Sequence, residues 1–147
     1  MTRFGPPTDA QRLKIDALLE REPLTSIDPR VEKLVEDLIG RVADKWTMII
    51  LEILVEHGEL RFTRIGELVG GISQKMLTQT LRHMERDGLL TRKVHPVVPP
   101  KVEYKITDLG LTLSAAFCGV WMWASENLQR IEDSRRKFDK KKAAQSA

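Results

Sequence analysis

Apolar residues recur at intervals of three and four along most of the chain, which is the spacing of an amphipathic α-helix. The stretches with this periodicity are residues 8–22, 28–42, 44–57, 60–69, 73–86 and 107–138. The third stretch is apolar on nearly every side, so it is predicted to be the central, most buried helix. In the second stretch the apolar residues form one stripe that is predicted to be buried: Val31, Leu34, Val35, Leu38 and Val42.

Two strand-like segments lie between the last two helical stretches. Residues 89–94 (LLTRKV) and 102–107 (VEYKIT) flank a proline-rich bend, HPVVPPK. Apolar and polar residues alternate in the second segment, as in a strand with one covered face. Proline cannot donate to a strand ladder, so it suits the bend. The pattern therefore predicts a β-hairpin.

The order of these elements predicts a winged helix-turn-helix. A short helix is joined by Gly70-Gly71 to a second helix, and the hairpin follows directly. The predicted fold class is mainly α with a small β-hairpin wing, and with extra N- and C-terminal helices for dimerisation. The predicted parts are an N-terminal arm with a helix (1–27), a winged helix-turn-helix DNA-binding domain (28–106), a C-terminal dimerisation helix (107–138) and a disordered basic tail (139–147).

The second helix of the motif has one apolar and one polar side. Ser73 is a favourable N-cap, and Leu77, Leu81 and Met84 are predicted to turn inward. On the polar side, Gln and Arg can pair with base edges in the major groove, and a Thr methyl can contact thymine. Base reading is therefore predicted for Gln74, Lys75, Thr78, Gln79 and Arg82. A merely solvated face is the alternative, and the adjacent basic hairpin argues against it.

Positive charge is concentrated around this motif. Residues 1–60 carry a net −4, residues 61–105 a net +5 and residues 106–147 a net +2. A local basic excess favours a polyanionic partner. Contacts to the DNA backbone or through the wing are predicted for Arg61, Ser73, Arg86, Lys93 and Lys101. The alternative is an exposed hairpin whose lysines only protect its edge.

The last helical stretch has more apolar surface than one small domain needs to cover. Its seam continues for about three heptads, which predicts a partner helix from a second copy of the chain. The predicted dimer contacts are Leu113, Phe117, Val120, Trp121 and Ala124. The aromatic cluster around Trp121 and Trp123 is also consistent with an effector pocket between subunits, although an interface is favoured.

Residues 30–128 closely resemble the HxlR family of bacterial winged helix-turn-helix transcriptional regulators. The most specific segments are GISQKMLTQTLRHMERDGLL and HPVVPPKVEYKITDLG. The resemblance implies a dimeric, DNA-binding transcription factor and carries the recognition role onto the five base-reading residues named above. Several members respond to electrophiles or oxidants through a cysteine near the start of the helix before the KW motif. This chain has Lys33 near that place, which makes a thiol switch there doubtful.

The sequence carries no catalytic, metal or cofactor signature. Its three histidines are isolated, no phosphate loop or nucleophile elbow occurs, and no enzyme activity or cofactor is predicted. The single cysteine, Cys118, lies among apolar residues and is predicted to be a small buried side chain, with a cross-dimer disulfide left open. Without a signal peptide or membrane span, a cytoplasmic protein is expected.

These observations predict a sequence-specific transcriptional regulator that acts as a homodimer on a roughly palindromic operator. Its predicted partners are double-stranded DNA and a second copy of the chain, with no membrane. Two alternatives remain: a sensor whose main role is to bind a small-molecule effector, and a winged-helix module that binds proteins without DNA.

Overall fold

The computed structural model describes residues 6–21, 26–42 and 45–146, and in residues 38, 39, 41 and 42 only the backbone. Parts of the predicted arm, residues 1–5 and 22–25, lie outside the described residues, as do the predicted inward side chains of Leu38 and Val42. In chain order the elements are α1 (Asp9–Leu19), α2 (Pro29–Val42), α3 (Lys45–His57), β1 (Glu59–Arg61), α4 (Phe62–Val69), α5 (Gln74–Arg86), β2 (Leu90–His95), β3 (Lys101–Ile106) and α6 (Asp108–Ser146).

The hydrophobic core is built around α3, as its all-round apolar sequence predicts. Ile50, Leu51 and Leu54 are fully buried there. Ile49 and Ile53 of α3 also belong to the core, and its other side chains come from α4, α5, the turn after α5 and the sheet: Ile65, Val69, Leu77, Leu81, Met84, Leu89, Leu90 and Tyr104. The inward stripe predicted for the second helix of the motif is confirmed, so its polar side is forced outward.

The sheet has three strands rather than the two of the predicted hairpin. It is antiparallel with the order β1-β3-β2, and β1 pairs Leu60 with Tyr104. The predicted hairpin itself is confirmed, with Leu90 opposite Ile106 and His95 opposite Lys101. The additional strand, β1, could not be predicted from the sequence because it is only three residues long. So short a strand is defined by its pairing partner rather than by its own residue pattern.

The last helix is longer than predicted. α6 continues through Ser146, whereas the sequence pattern predicts a helix end near Phe138 and a disordered tail over 139–147. For residues 139–146 that prediction differs from the structure. The segment KKKAA contains good helix formers and no Gly or Pro, so local propensity extends the helix without tertiary packing.

The apolar stripe of α2 is largely uncovered. Val31, Leu34 and Val35 are 44%, 54% and 45% exposed, so within the single chain the prediction that this face is buried is wrong for these three residues. The helix begins as predicted, with Pro29 first and the Asp28 carboxylate accepting from the amide of Arg30. The stripe is therefore an exposed apolar surface on a capped helix.

A small polar cluster joins α1 to α3 and α6. Gln11 of α1 is 1% exposed, and its Nε2 donates to Ser114 Oγ of α6 at 3.3 Å. Glu52 of α3 lies against this pair with Oε1 buried and, among the described residues, without a hydrogen-bond partner. Burial raises the pKa of the Glu52 carboxyl, and a hydrogen bond from Gln11 partly opposes that shift. The cluster holds α1 against α3 and α6, but it leaves the Glu52 carboxylate half-buried, which destabilises its charged form.

Replacing Glu52 with Gln should raise Tm at pH 7 by about 1–3 °C, because the variant carries no charge that folding must desolvate. The gain should disappear below the ordinary glutamate pKa of 4.5, where Glu52 is protonated in both the folded and the unfolded chain. The full gain in Tm should be present above the raised pKa that Glu52 has in the folded chain. Thermal unfolding across pH 3–8 measures both. Glu56→Gln, at an exposed site on the same helix, is the matched control, and a lower Tm for Glu52→Gln would contradict the account.

Candidate nucleic-acid interface

The turn between α4 and α5 has a backbone conformation that favours glycine at two positions. Gly70 and Gly71 have φ of +66° and +72°, a region that side chains with a Cβ rarely adopt. Ser73 then caps α5, and its hydroxyl oxygen accepts from the amide of Met76 at 3.1 Å. The predicted cap and turn are both confirmed. Together they fix where α5 begins and which of its sides faces solvent.

The polar side of α5 is one continuous exposed surface. All five residues predicted to read bases are exposed. They line a shallow depression of about 640 Å³ whose members are Gln74, Lys75, Thr78, Gln79, Arg82 and His83. His83 was not among the predicted site residues. It lies four residues after Gln79, one helical turn along the same face, so helical spacing was the signal that could have included it.

The hydroxyl of Thr78 is already used within the helix. Its Oγ1 donates to the carbonyl oxygen of Gln74 at 2.8 Å. The proton is therefore engaged, and the methyl group is what Thr78 offers to a partner. A methyl contact suits the C5-methyl group of thymine.

A cleft separates α5 and the start of α4 from the wing. Its volume is about 630 Å³, and three basic side chains line it: Arg61, Arg92 and Lys101. Among the described residues that line this cleft, none is acidic. Arg92 also lines a second depression of about 280 Å³ beside Thr78 and Arg82. Arg92 was not among the predicted site residues, because the contact between β2 and α5 that brings it beside the polar side of α5 is tertiary.

One predicted phosphate contact, Lys101, has an intramolecular partner. Its Nζ lies 2.5 Å from Glu103 Oε1, and His95 Nε2 lies 3.2 Å from the other oxygen of that carboxylate. The Lys101 ammonium, followed by contacts with Glu59 and His95, lowers the pKa of Glu103 to about 2. Glu103 is thus charged at neutral pH and offsets part of the wing's positive charge.

The other residues predicted to contact the DNA backbone differ in whether their polar groups already have a partner within the chain. Arg61, Arg86 and Lys93 are exposed, and so is Ser73, whose hydroxyl is occupied by the cap. Arg64 lies on α4, the first helix of the motif, and pairs with Glu67 at 3.0 Å. Arg61 and Arg92 are therefore the cations that line the cleft without a carboxylate held against them in the described contacts.

The predicted dimer residues fall into two groups. Val120 is 58% exposed, whereas Leu113 and Phe117 are half-buried and pack against the chain's own core. Trp121 and Ala124 are also half-buried. The exposed apolar side of α6 instead passes through residues spaced by seven, four and three: Leu109, Ala116, Val120 and Trp123. We call these four residues the α6 stripe.

Cys118 is buried, and the pKa of its thiol is raised by burial and then by the nearby Glu52 carboxylate. This agrees with the predicted small buried side chain. Within the described residues, no three His, Cys, Asp or Glu side chains gather as a metal ion would require. Nor does any helix in the described ranges have the length and apolar content needed to cross a bilayer.

Comparison with known proteins gives a consistent result. Residues 41–132 match the model of the HxlR-like helix-turn-helix. The "Uncharacterized HTH-type transcriptional regulator YtfH" of Escherichia coli (strain K12) is 39% identical over 95 residues, which are 65% of this chain and 75% of that protein. The reduced form of the transcriptional regulator YodB from B. subtilis aligns with a TM-score of 0.58 at 32% identity, over 69% of this chain and 94% of that one. The redox regulator HypR in its reduced form aligns with a TM-score of 0.59 at 34% identity, over 67% and 97%.

Proposed function

The chain belongs to the HxlR-like helix-turn-helix family of transcriptional regulators, and we propose that it binds a roughly palindromic operator as a homodimer. The observation that carries this proposal is the exposed polar face of α5 beside a cleft lined by cations. A helix whose apolar side packs into the core and whose polar side presents amide, ammonium and guanidinium groups and a threonine methyl is suited to the major groove.

The division of roles follows from position. The residues on the first turns of α5 read base edges, because the first turns of a recognition helix reach deepest into the major groove. These residues are Gln74, Lys75, Thr78, Gln79 and Arg82. Arg61, Ser73, Arg86, Lys93 and Lys101 position the protein on phosphates. We add Arg92 to the second group, since it lines the cleft between wing and α5.

The dimer proposal is supported by apolar surface that the single chain leaves uncovered. The α6 stripe, the stripe of α2 and Leu13 and Leu19 of α1 are all exposed. A soluble monomer seldom exposes so many large apolar side chains on neighbouring elements. A two-fold axis through this surface would present two recognition helices to successive major grooves, about one helical turn apart.

The direct test is a gel shift with the DNA upstream of the protein's own gene across a salt series. We expect specific binding that weakens steeply as salt rises, since each neutralised phosphate adds about 0.9 to the slope of log K against log salt. Scrambled DNA of equal length is the control. Absence of any binding at low salt would rule out the proposal.

Replacing Arg92 with Ala should weaken binding to all DNA sequences alike and reduce the salt slope by about 0.9, the signature of one lost phosphate contact. Lys101→Ala should have the same character and a smaller size, because Glu103 already holds that ammonium. Fluorescence anisotropy with operator and scrambled duplexes measures both quantities. If Arg92→Ala weakened operator binding alone, Arg92 would be reading bases instead.

A ligand-responsive role has one supporting observation. A largely apolar cavity of about 560 Å³ lies where α1, α2 and the start of α6 meet the end of α5, a volume in the range of small-molecule sites. Its walls include Leu18, Leu34, Leu89, Leu109 and Leu113, with Lys14 and Arg21 also lining it. It is a more enclosed candidate than the predicted cluster around Trp121 and Trp123, where Trp123 is 57% exposed.

A further inference from the structure

The end of α5 and the beginning of α6 meet at a junction held by Thr107. This residue lies between β3 and α6, and its backbone amide donates to the carbonyl oxygen of Leu89 at 3.1 Å. Its hydroxyl donates to the carbonyl oxygen of Gly88 at 2.5 Å. The same hydroxyl oxygen accepts from the amide of Gly110 at 3.0 Å. One side chain therefore bonds to the turn that ends α5 and to the first turn of α6.

The junction is also tight sterically. Gly110 is buried, and a Cβ at that position would overlap the carbonyl oxygen of Leu89 and come within 2.8 Å of Ile106. On the other side, Gly88 has φ of +77°, and the amide of Leu89 donates to Met84 in the last turn of α5. The backbone of residues 88–89 is thus hydrogen-bonded to the last turn of α5 and to Thr107, the residue before α6, and it packs closely against Gly110 of α6.

We infer that Thr107 is a positioning residue that fixes the angle between α5 and α6. This inference rests on the proposed function for its consequence: if α6 carries the dimer interface, the angle sets the separation of the two recognition helices. The hydroxyl braces the junction, since it bonds both to Gly88 in the turn after α5 and to Gly110 in the first turn of α6. Thr107 lines neither the depression along the polar side of α5 nor the cleft beside the wing, so its effect on DNA binding is indirect.

The angle can be measured without DNA. Spin labels at Glu85→Cys and Ser125→Cys, in a Cys118→Ala background and diluted with unlabelled protein, report the distance between α5 and α6 within one chain. Both labelled positions are exposed. Pulsed EPR should give a narrow distribution for the parent and for Thr107→Ser, which keeps the hydroxyl. Thr107→Val, which has the same shape without it, should give a broader distribution or a second maximum.

The consequence for DNA is measured with unlabelled variants on operators whose half-sites are moved apart or together by one base pair. The preference of Thr107→Val for the native spacing should fall by about 2- to 12-fold, the effect of losing one hydrogen bond. Affinity for scrambled DNA at low salt and the dimer state should not change, and Thr107→Ser should behave as wild type.

The outcomes separate the two proposals. An unchanged distance distribution in Thr107→Val would overturn the positioning role, and so would failure of that variant to fold, because the hydroxyl would then hold the fold rather than set an angle. A broadened distribution in a protein that binds no DNA would leave Thr107 as the brace and remove the proposed function instead. A broadened distribution with an unchanged spacing preference would overturn the link between the junction and half-site separation.

Discussion

Val120→Glu should convert the dimer into monomers and weaken operator binding by about 10²–10⁴-fold. Val120 is 58% exposed in the single chain, so the substitution removes little intramolecular packing. In a two-fold interface it places two carboxylates in an apolar contact, where each loses hydration without gaining a partner. A monomer then binds one half-site without the effective concentration that the linked second site provides, and that loss is the source of the estimate.

Sedimentation velocity measures the association state, and anisotropy with a full operator and with a single half-site measures the affinities. The half-site affinity should be nearly the same for both proteins, because the recognition helix is untouched. Ser125→Glu is the matched control: it adds the same charge to α6 about 140° round the helix from Val120. A Val120→Glu protein that remained dimeric would show that the α6 stripe is not the interface.

A point substitution tests this better than removal of the helix. Gly110, Ser114, Ala115 and Cys118 of α6 are buried against the rest of the chain, and Ser114 holds Gln11 of α1. A chain cut after residue 106 would lose these contacts together with the α6 stripe. A monomer obtained that way would report on folding as much as on association.

The elements set by local chemistry could be predicted from the sequence. Ser73 and Asp28 cap helices because their oxygens reach amides two or three residues away, and Gly70-Gly71 make a turn that other residues resist. The periodicity of α5 likewise separated its buried side from its polar side. These are short-range effects, so a single sequence carries them.

Features that depend on contacts distant in sequence could not be predicted in the same way. From the apolar stripe of α2 the helix was predicted correctly and its burial wrongly. Periodicity identifies an apolar face without saying what covers it. Arg92 reaches the recognition surface only because β2 packs beside α5. The Glu103 carboxylate also receives His95 from β2 across the hairpin, whereas its pair with Lys101 joins residues only two apart on one face of β3. Such pairings change which cations are free for phosphate.

Gln79→Ala should reduce the preference for operator over scrambled DNA by about 5- to 150-fold, which corresponds to the 1–3 kcal/mol of one bidentate base contact. Gln79 is exposed at the middle of the depression along α5, and among the five proposed reading residues it shares with Gln74 an amide that can donate and accept at once. That combination matches the N6 and N7 edge of adenine. The loss should be confined to one base pair in each half-site, while scrambled DNA is bound as before and the salt slope is unchanged.

Binding to a panel of operators with single base-pair changes locates the contact. Wild type should discriminate at one symmetric pair of positions where Gln79→Ala does not, and the two proteins should agree elsewhere. Gln129→Ala makes the same chemical change at an exposed site of α6 and should alter nothing, which controls for helix propensity and side-chain loss. Because the face of α5 is fixed by Leu77, Leu81 and Met84, Gln79→Ala cannot act by turning the helix. A uniform loss across all sequences would therefore assign Gln79 to the phosphate backbone and move base reading to the remaining residues of that face.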